Sequence, residues 1–282
     1  MSMRQVHVEA IVETVARLCQ EANYVLGADT VEALKRSMEQ EPSDIGRDIL
    51  GQIVLNAELA AAERVPMCQD TGFAVFIVEL GQDCHIVGGS LYDAINEGVR
   101  RGYRQGYLRF SMVADPIRRV NTGDNTPAIV HVELVPGDRL VIHMAAKGGG
   151  SENMSFLKML PPAEGVEGIK RFVVDAVREA GPNPCPPIIV GVGIGGNFER
   201  VAYLAKKSLF RPLGQPHPRD DVAALESELL EAINELGIGP QGMGGRTTAL
   251  AVHVEVAATH IAALPVAVNI NCHANRHKTA VL

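Results

Sequence analysis

Three cysteines of this chain stand where a thiol serves better as a ligand than as packing. Cys68 lies in Pro66-Met67-Cys68-Gln69-Asp70-Thr71-Gly72, Cys185 in Pro184-Cys185-Pro186-Pro187, and Cys272 in Asn271-Cys272-His273-Ala274-Asn275-Arg276-His277. A thiol kept for packing sits inside an apolar periodic stretch, as Cys19 does; Cys84 also lacks a ligand-like setting, and both read as structural. Three thiols on turn-like segments suggest a shared metal, and an odd number leaves one coordination place open. An iron–sulfur cluster with three protein thiolates and one open iron would act as a Lewis acid as well as an electron carrier.

Each of these segments has a plainer reading. Cys-Gln-Asp-Thr-Gly can be a helix-to-strand turn in which Asp70 and Thr71 satisfy backbone groups. Pro184 and Pro186 hold the backbone extended around Cys185, which suits a ligand and also an ordinary linker. Cys272 follows an apolar strand, where α/β proteins tend to place site residues. His273 and His277 beside it invite a zinc reading, but no second Cys-rich pair completes a tetrahedral set.

Other residue types add to the chemistry. Lys147-Gly148-Gly149-Gly150-Ser151 directly after a strand can form an anion-binding bend of backbone amides. Arg109, Arg118 and Arg119 are candidate carboxylate clamps, and His260 sits among small apolar residues, the usual setting of a packed histidine. The polar stretch Asn121-Thr122-Gly123-Asp124-Asn125-Thr126-Pro127 reads mainly as turn formers. Gly191-x-Gly193-x-x-Gly196 fits a dinucleotide fingerprint on paper, but no βαβ unit frames it, and close packing or anion binding explains the glycines better.

The elements that must position these residues follow from periodicity. Val8, Ile11, Val12, Val15, Leu18 and Cys19 share a helical face. Thr30 caps a second helix over 31–39, and Ser43 caps a third reaching about residue 64. A strand over 73–80 and a helix over 88–105 follow. From residue 128 the period becomes two, and the alternation on both sides of Pro136-Gly137-Asp138 predicts a β-hairpin of 129–134 with 140–144. Helices over 164–180, 199–208 and 222–235 and strands over 188–192, 249–256 and 266–270 complete the reading. This is an α/β pattern: a helical N-terminal part and a mixed β-sheet flanked by helices. No repeat, linker or composition break divides it, which predicts a single compact domain over 1–282.

Composition excludes several classes. A chain of 282 residues, 46% hydrophobic, can bury a full core. A net charge of −7 argues against a nucleic-acid or anionic-membrane partner, because phosphate binding needs a basic face. The apolar run over 248–270 is broken by His253, Glu255, His260 and Pro265, so no membrane span is expected. Five cysteines with no secretory leader read as thiols or ligands in a reducing compartment, and the expectation is cytoplasmic.

In combination the segments carry a specific resemblance. Met-Cys-Gln-Asp-Thr-Gly, Arg-Val-Asn-Thr-Gly-Asp-Asn-Thr-Pro-Ala, Ala-Lys-Gly-Gly-Gly-Ser-Glu-Asn, Gly-Val-Gly-Ile-Gly-Gly and the Cys272 segment occur in this order. The chain thereby resembles the class I fumarase / L-tartrate dehydratase family, and more narrowly the α subunit of its two-subunit form, from about residue 10 onward. The resemblance implies an oxygen-sensitive hydro-lyase with a 4Fe–4S cluster on Cys68, Cys185 and Cys272. It implies Gln69, Arg109 and Gly149 as substrate-binding residues, and Asp70 and His260 as catalytic ones. Fumarate hydration to L-malate, a tricarboxylic acid cycle step, is the expected reaction; L(+)-tartrate dehydration to oxaloacetate is the runner-up. A thiol-redox protein or non-catalytic scaffold is a more distant rival. The arginines, lysine and threonine that fused members carry in a C-terminal domain have no counterpart here, which implies a hetero-oligomer with a separate β subunit that completes the site for a small dicarboxylate.

Overall fold

The computed structural model describes residues 4–282. Strand β1 (Arg4–His7) leads into α1 (Val8–Tyr24), whose N-terminus is capped by the His7 imidazole accepting from the Glu9 amide. Then follow α2 (Ala28–Gln40), which starts three residues earlier than expected and so holds Thr30 inside the helix and not at its cap, and α3 (Asp44–Glu63), where Ser43 Oγ accepts from the Gly46 amide as expected of a cap. Next come β2 (Phe73–Gly81), β3 (Cys84–Val87), α4 (Leu91–Gln105), β4 (Ile129–Val135) and β5 (Leu140–Lys147). After a single helical turn α5 (Gly149–Glu152) the order is β6 (Phe156–Leu160), α6 (Gly165–Ala180), β7 (Ile188–Gly196), α7 (Phe198–Ser208) and α8 (Asp220–Asn234). Strands β8 (Ala249–Thr259), β9 (Leu264–Asn271) and β10 (His277–Val281) end the described chain. Mixed α/β architecture is thus what the patterning specifies.

The chain packs as two compact units: residues up to Gly27 with Ala57–Gly149 and Arg276–Leu282 form the first, and Ala28–Asn56 with Gly150–Asn275 form the second. No linker marks the division. It falls between α1 and α2, within α3, within α5 and just before β10, so composition gives no sign of it.

The first unit is built on a sheet of order β10-β5-β2-β4, beside the small parallel pair β1-β3. Here the expected hairpin is corrected. β4 and β5 do not pair with each other; β2 lies between them, parallel to β4 and antiparallel to β5. The connection through Pro136-Gly137-Asp138 arches over the end of β2, where Gly81, Gln82 and Asp83 donate to the carbonyls of Arg139, Val135 and Gly137, each at 2.9 Å. The reason lies in β2 itself: Ala74–Val78 is buried on both faces and demands a neighbour on each side, whereas β4 alternates and suits an edge. Ile11, Val15 and Leu18 of α1, Ile95 and Val99 of α4 and Phe76 and Met144 of the sheet form this unit's core.

The second unit repeats the device. Its sheet has order β6-β9-β7-β8, with β7 parallel to β8 and antiparallel to β9. Helices α6 and α8 cover one face through Val173, Val177, Leu229 and Ile233, while Val201 and Ala205 of α7 meet Ala267 in a separate cluster. The glycine fingerprint is explained by this packing. A Cβ on Gly191 would stand 2.3 Å from the Ala205 carbonyl oxygen, and one on Gly193 2.2 Å from that of Val201. The glycines let α7 lie directly on β7, and the helix is capped by Asn197, whose side chain accepts from the Arg200 amide.

A buried titratable cluster gives the second unit a pH dependence. His253, 2% exposed, lies near the Arg211–Glu226 ion pair. Burial first, and then the Arg211 charge, push its imidazole down to about 4, against the opposing pull of Glu226, the Ser208 carbonyl and Asp29. The unfolded imidazole takes up a proton near pH 6.5, well before the folded one does, so folding stability is lost as pH falls from about 6.5 toward 4. Denaturant titration at pH 7 and pH 5 is expected to differ by about 2 kcal/mol from this group, and His253→Gln flattens that slope.

Candidate active site

Four of the candidate residues and one candidate thiol meet in the first unit, around the turn from α3 to β2. Gly72 makes the turn possible: its φ is +71°, and a Cβ there would stand 2.5 Å from the Lys147 carbonyl oxygen at the end of β5. Asp70 is the hub. Its Oδ1 accepts from the Gly72 amide at 3.0 Å and its Oδ2 from the Gly149 amide at 2.8 Å, so the carboxylate is oriented from two sides. Thr71 Oγ1 donates to the Arg109 carbonyl at 3.0 Å, which fixes that arginine's backbone against the turn while its side chain stays exposed. The buried Tyr103 hydroxyl donates to the carbonyls of Thr71 and Gly72. Gln69 is exposed beside Cys68, with Oε1 3.8 Å from Sγ.

Cys185 and Cys272 belong to the second unit. Cys185 precedes β7 and Cys272 follows β9; because the strands are antiparallel, with Ile189 opposite Asn271, their two ends fall together. His273 joins them: its ring Nδ1 lies 3.0 Å from the Cys185 carbonyl oxygen. His277 instead pairs within β10, opposite Ala145 of β5 in the first unit. Among the described residues no group of three or more His, Cys, Asp or Glu side chains is gathered as a metal site.

His260 is not brought to the cysteine pair. It occupies the turn from β8 to β9, past the end of β7, where Gly196 pairs with Thr259. From the Ile189–Asn271 pair to that end is roughly 20 Å at about 3.3 Å per residue. The full length of β7 therefore separates the same chain's His260 from Cys185 and Cys272. Arg118 and Arg119 lie exposed on an arm closed by a Val113–Asn121 bridge. A groove of about 710 Å³ in the second unit, lined by Arg36, Glu231 and Arg246 among others, contains none of the candidates.

The structure adds residues that sequence reasoning passes over. Arg276, 2% exposed, donates from Nη1 to the Asp70 carbonyl at 2.6 Å and to Asn23 Oδ1 at 3.1 Å. Asn125, fully buried, accepts from the Ser111 and Met112 amides and donates to the Gly72 carbonyl. Asn125 lies within a stretch that reads as turn formers, and nothing local marks it; an arginine just ahead of a strand in a polar segment is the only signal Arg276 gives.

The five thiols sort by chemistry. All are free. Burial pushes the Cys19 thiol up, and burial, partly offset by Arg4 and reinforced by Asp138, pushes up that of Cys84, so these two stay protonated. Cys68 and Cys272 are partly exposed and Cys185 is exposed. As a donor set the three accessible thiols fit a soft metal or an iron–sulfur cluster, and the two buried ones do not.

A family model described as fumarate hydratase (Fumerase) matches residues 12–281. A Methanocaldococcus jannaschii protein provisionally named L(+)-tartrate dehydratase subunit alpha is 41% identical over 272 residues, covering 94% of this chain and 95% of that protein. The L(+)-tartrate dehydratase subunit alpha of Escherichia coli O157:H7 is 35% identical over 285 residues, covering all of this chain and 93% of its own length. That of Escherichia coli K12 is 34% identical with the same coverage.

Proposed function

The chain belongs to the fumarate hydratase family of hydro-lyases, and we propose that it is the cluster-holding α subunit of a two-subunit iron–sulfur enzyme. Its reaction is the reversible hydration of fumarate to L-malate. L(+)-tartrate dehydration to oxaloacetate is the second reading, favoured by the names of the relatives. The observation that carries the proposal is the convergence of Gln69, Asp70, Arg109 and Gly149 on the Cys68 turn.

Cys68, Cys185 and Cys272 would hold a 4Fe–4S cluster, which when bound supplies a Lewis acid that lowers the pKa of a bound hydroxyl or water. The chain's own residues supply the rest. The Asp70 carboxylate, held by the Gly72 and Gly149 amides, is aimed to accept or return a proton. Gly149 acts on the substrate through Asp70, since its amide is given to that carboxylate. The exposed guanidinium of Arg109 binds a substrate carboxylate, and the Gln69 amide orients the hydroxyl. His260 has no part in the site on its own chain's Cys185 and Cys272. Removal of water from an anionic diacid needs a second cationic clamp, which we assign to a separate β subunit. Reducing conditions preserve a thiolate-bound cluster, which supports a cytoplasmic enzyme.

The test is steady-state turnover of L-malate and L(+)-tartrate by the chain reconstituted with its partner, against the chain alone. The lone chain is expected to be at least about 10²-fold slower, the scale of a lost charge-stabilising contact; full activity from the lone chain excludes the two-subunit reading, and a tartrate preference decides for the second reaction.

A further inference from the structure

We propose that Gln241 is a positioning residue for Cys185, tying its loop to that of Cys272; the inference deepens the cluster reading and rests on it. Cys185 is held at φ 55°, a left-handed conformation that a non-glycine residue keeps only when its surroundings impose it. Pro184 and Pro186 on either side have no amide to give, while the Cys185 amide donates to the Pro182 carbonyl at 3.1 Å and so closes the loop on itself. A tie to the rest of the unit comes from the short turn Pro240–Gly242. The Gln241 amide N–H donates to the Pro186 carbonyl at 2.7 Å, and its side-chain Nε2 donates to the same oxygen at 2.8 Å. Nε2 also stands 3.2 Å from His273 Nδ1, the ring nitrogen that lies 3.0 Å from the Cys185 carbonyl.

One part-buried amide thus donates to the residue after one candidate ligand and packs against the ring of the residue after the other, whose Nδ1–H is given to the Cys185 carbonyl. Gln241 itself sits at φ 51°, where asparagine or glycine is the ordinary choice, so the longer side chain is not explained by the backbone. Its reach to Pro186 and His273 explains it.

Gln241→Ala removes the side-chain amide and leaves the backbone N–H in place, and Gln241→Met removes the donors but keeps the bulk. In the full-length, cluster-free chain, iodoacetamide is expected to alkylate Cys185 about fivefold faster in both variants than in the parent, the factor for losing one hydrogen bond. Cys68 is expected to react at the parental rate and the buried Cys19 to stay unreactive. Once the cluster is loaded, a chelator is expected to bleach the visible absorbance of both variants about fivefold faster. Parental alkylation rates in the variants, or a methionine variant that behaves as parent, overturn the proposal; so does a rise in Cys19 reactivity, which reports general loosening. A parent chain that takes up no iron defeats the cluster reading instead, and the alkylation rates still decide the role of Gln241.

Discussion

Cys272→Ser is expected to leave a folded chain that retains little iron and has lost at least about 10³-fold of its turnover when paired with its partner. A serine hydroxyl stays protonated at neutral pH and is a hard donor, so it does not replace a thiolate on iron. The fold tolerates the change. Cys272 is partly exposed at the end of β9, and its Sγ makes only a long 3.7 Å contact with the Ala274 carbonyl. Anaerobic iron content and visible absorbance read the cluster, and circular dichroism reads the fold. Cys84→Ser is the contrast, since that thiol is buried and protonated and its loss leaves iron content unchanged. A Cys272→Ser chain with full iron and full turnover removes the basis of the mechanism.

Arg276→Met carries the second large effect, and it is one of stability. The guanidinium is 2% exposed and donates to both the Asp70 carbonyl and Asn23 Oδ1. Methionine fills much of the volume but leaves the buried Asn23 Oδ1 and the part-buried Asp70 carbonyl without this donor. Two lost hydrogen bonds from a charged group cost about 3–5 kcal/mol together. Because the same contacts hold the turn that carries Cys68 and Asp70, turnover falls alongside stability. Denaturant unfolding measures the first and steady-state kinetics the second; a loss below about 1 kcal/mol, the scale of an exposed pair, would mean that Arg276 does not hold the turn.

The helices were legible because an amphipathic face and a capping residue are local signals: Ser43 before α3 and the α1 stripe from Ile11 to Leu18 both appear as read. The pairing of strands was not local. Alternation on either side of Pro136-Gly137-Asp138 describes a hairpin and an arch equally well, and only the buried character of β2, fifty residues earlier, decides between them. The site divides in the same way. Asp70 and Gly149 stand out by type and motif and do meet. Arg276, Asn125 and Gln241 act through burial and through partners remote in sequence, which their neighbours in the chain do not reveal. His260 is singled out by resemblance alone; β9 carries the chain the length of its sheet between that histidine and Cys272, a separation that no local pattern shows.

The sheet of the first unit takes its outer strand β10 from residues that follow the whole of the second unit. The second unit's four strands, by contrast, all lie within Phe156–Asn271. During synthesis the inserted body can therefore assemble while the enclosing one still exposes β5 as an open edge, with Arg276 not yet made to clamp Asp70. The turn bearing Cys68 and Asp70 thus depends on a contact that is made only after residues 150–275 have been synthesised.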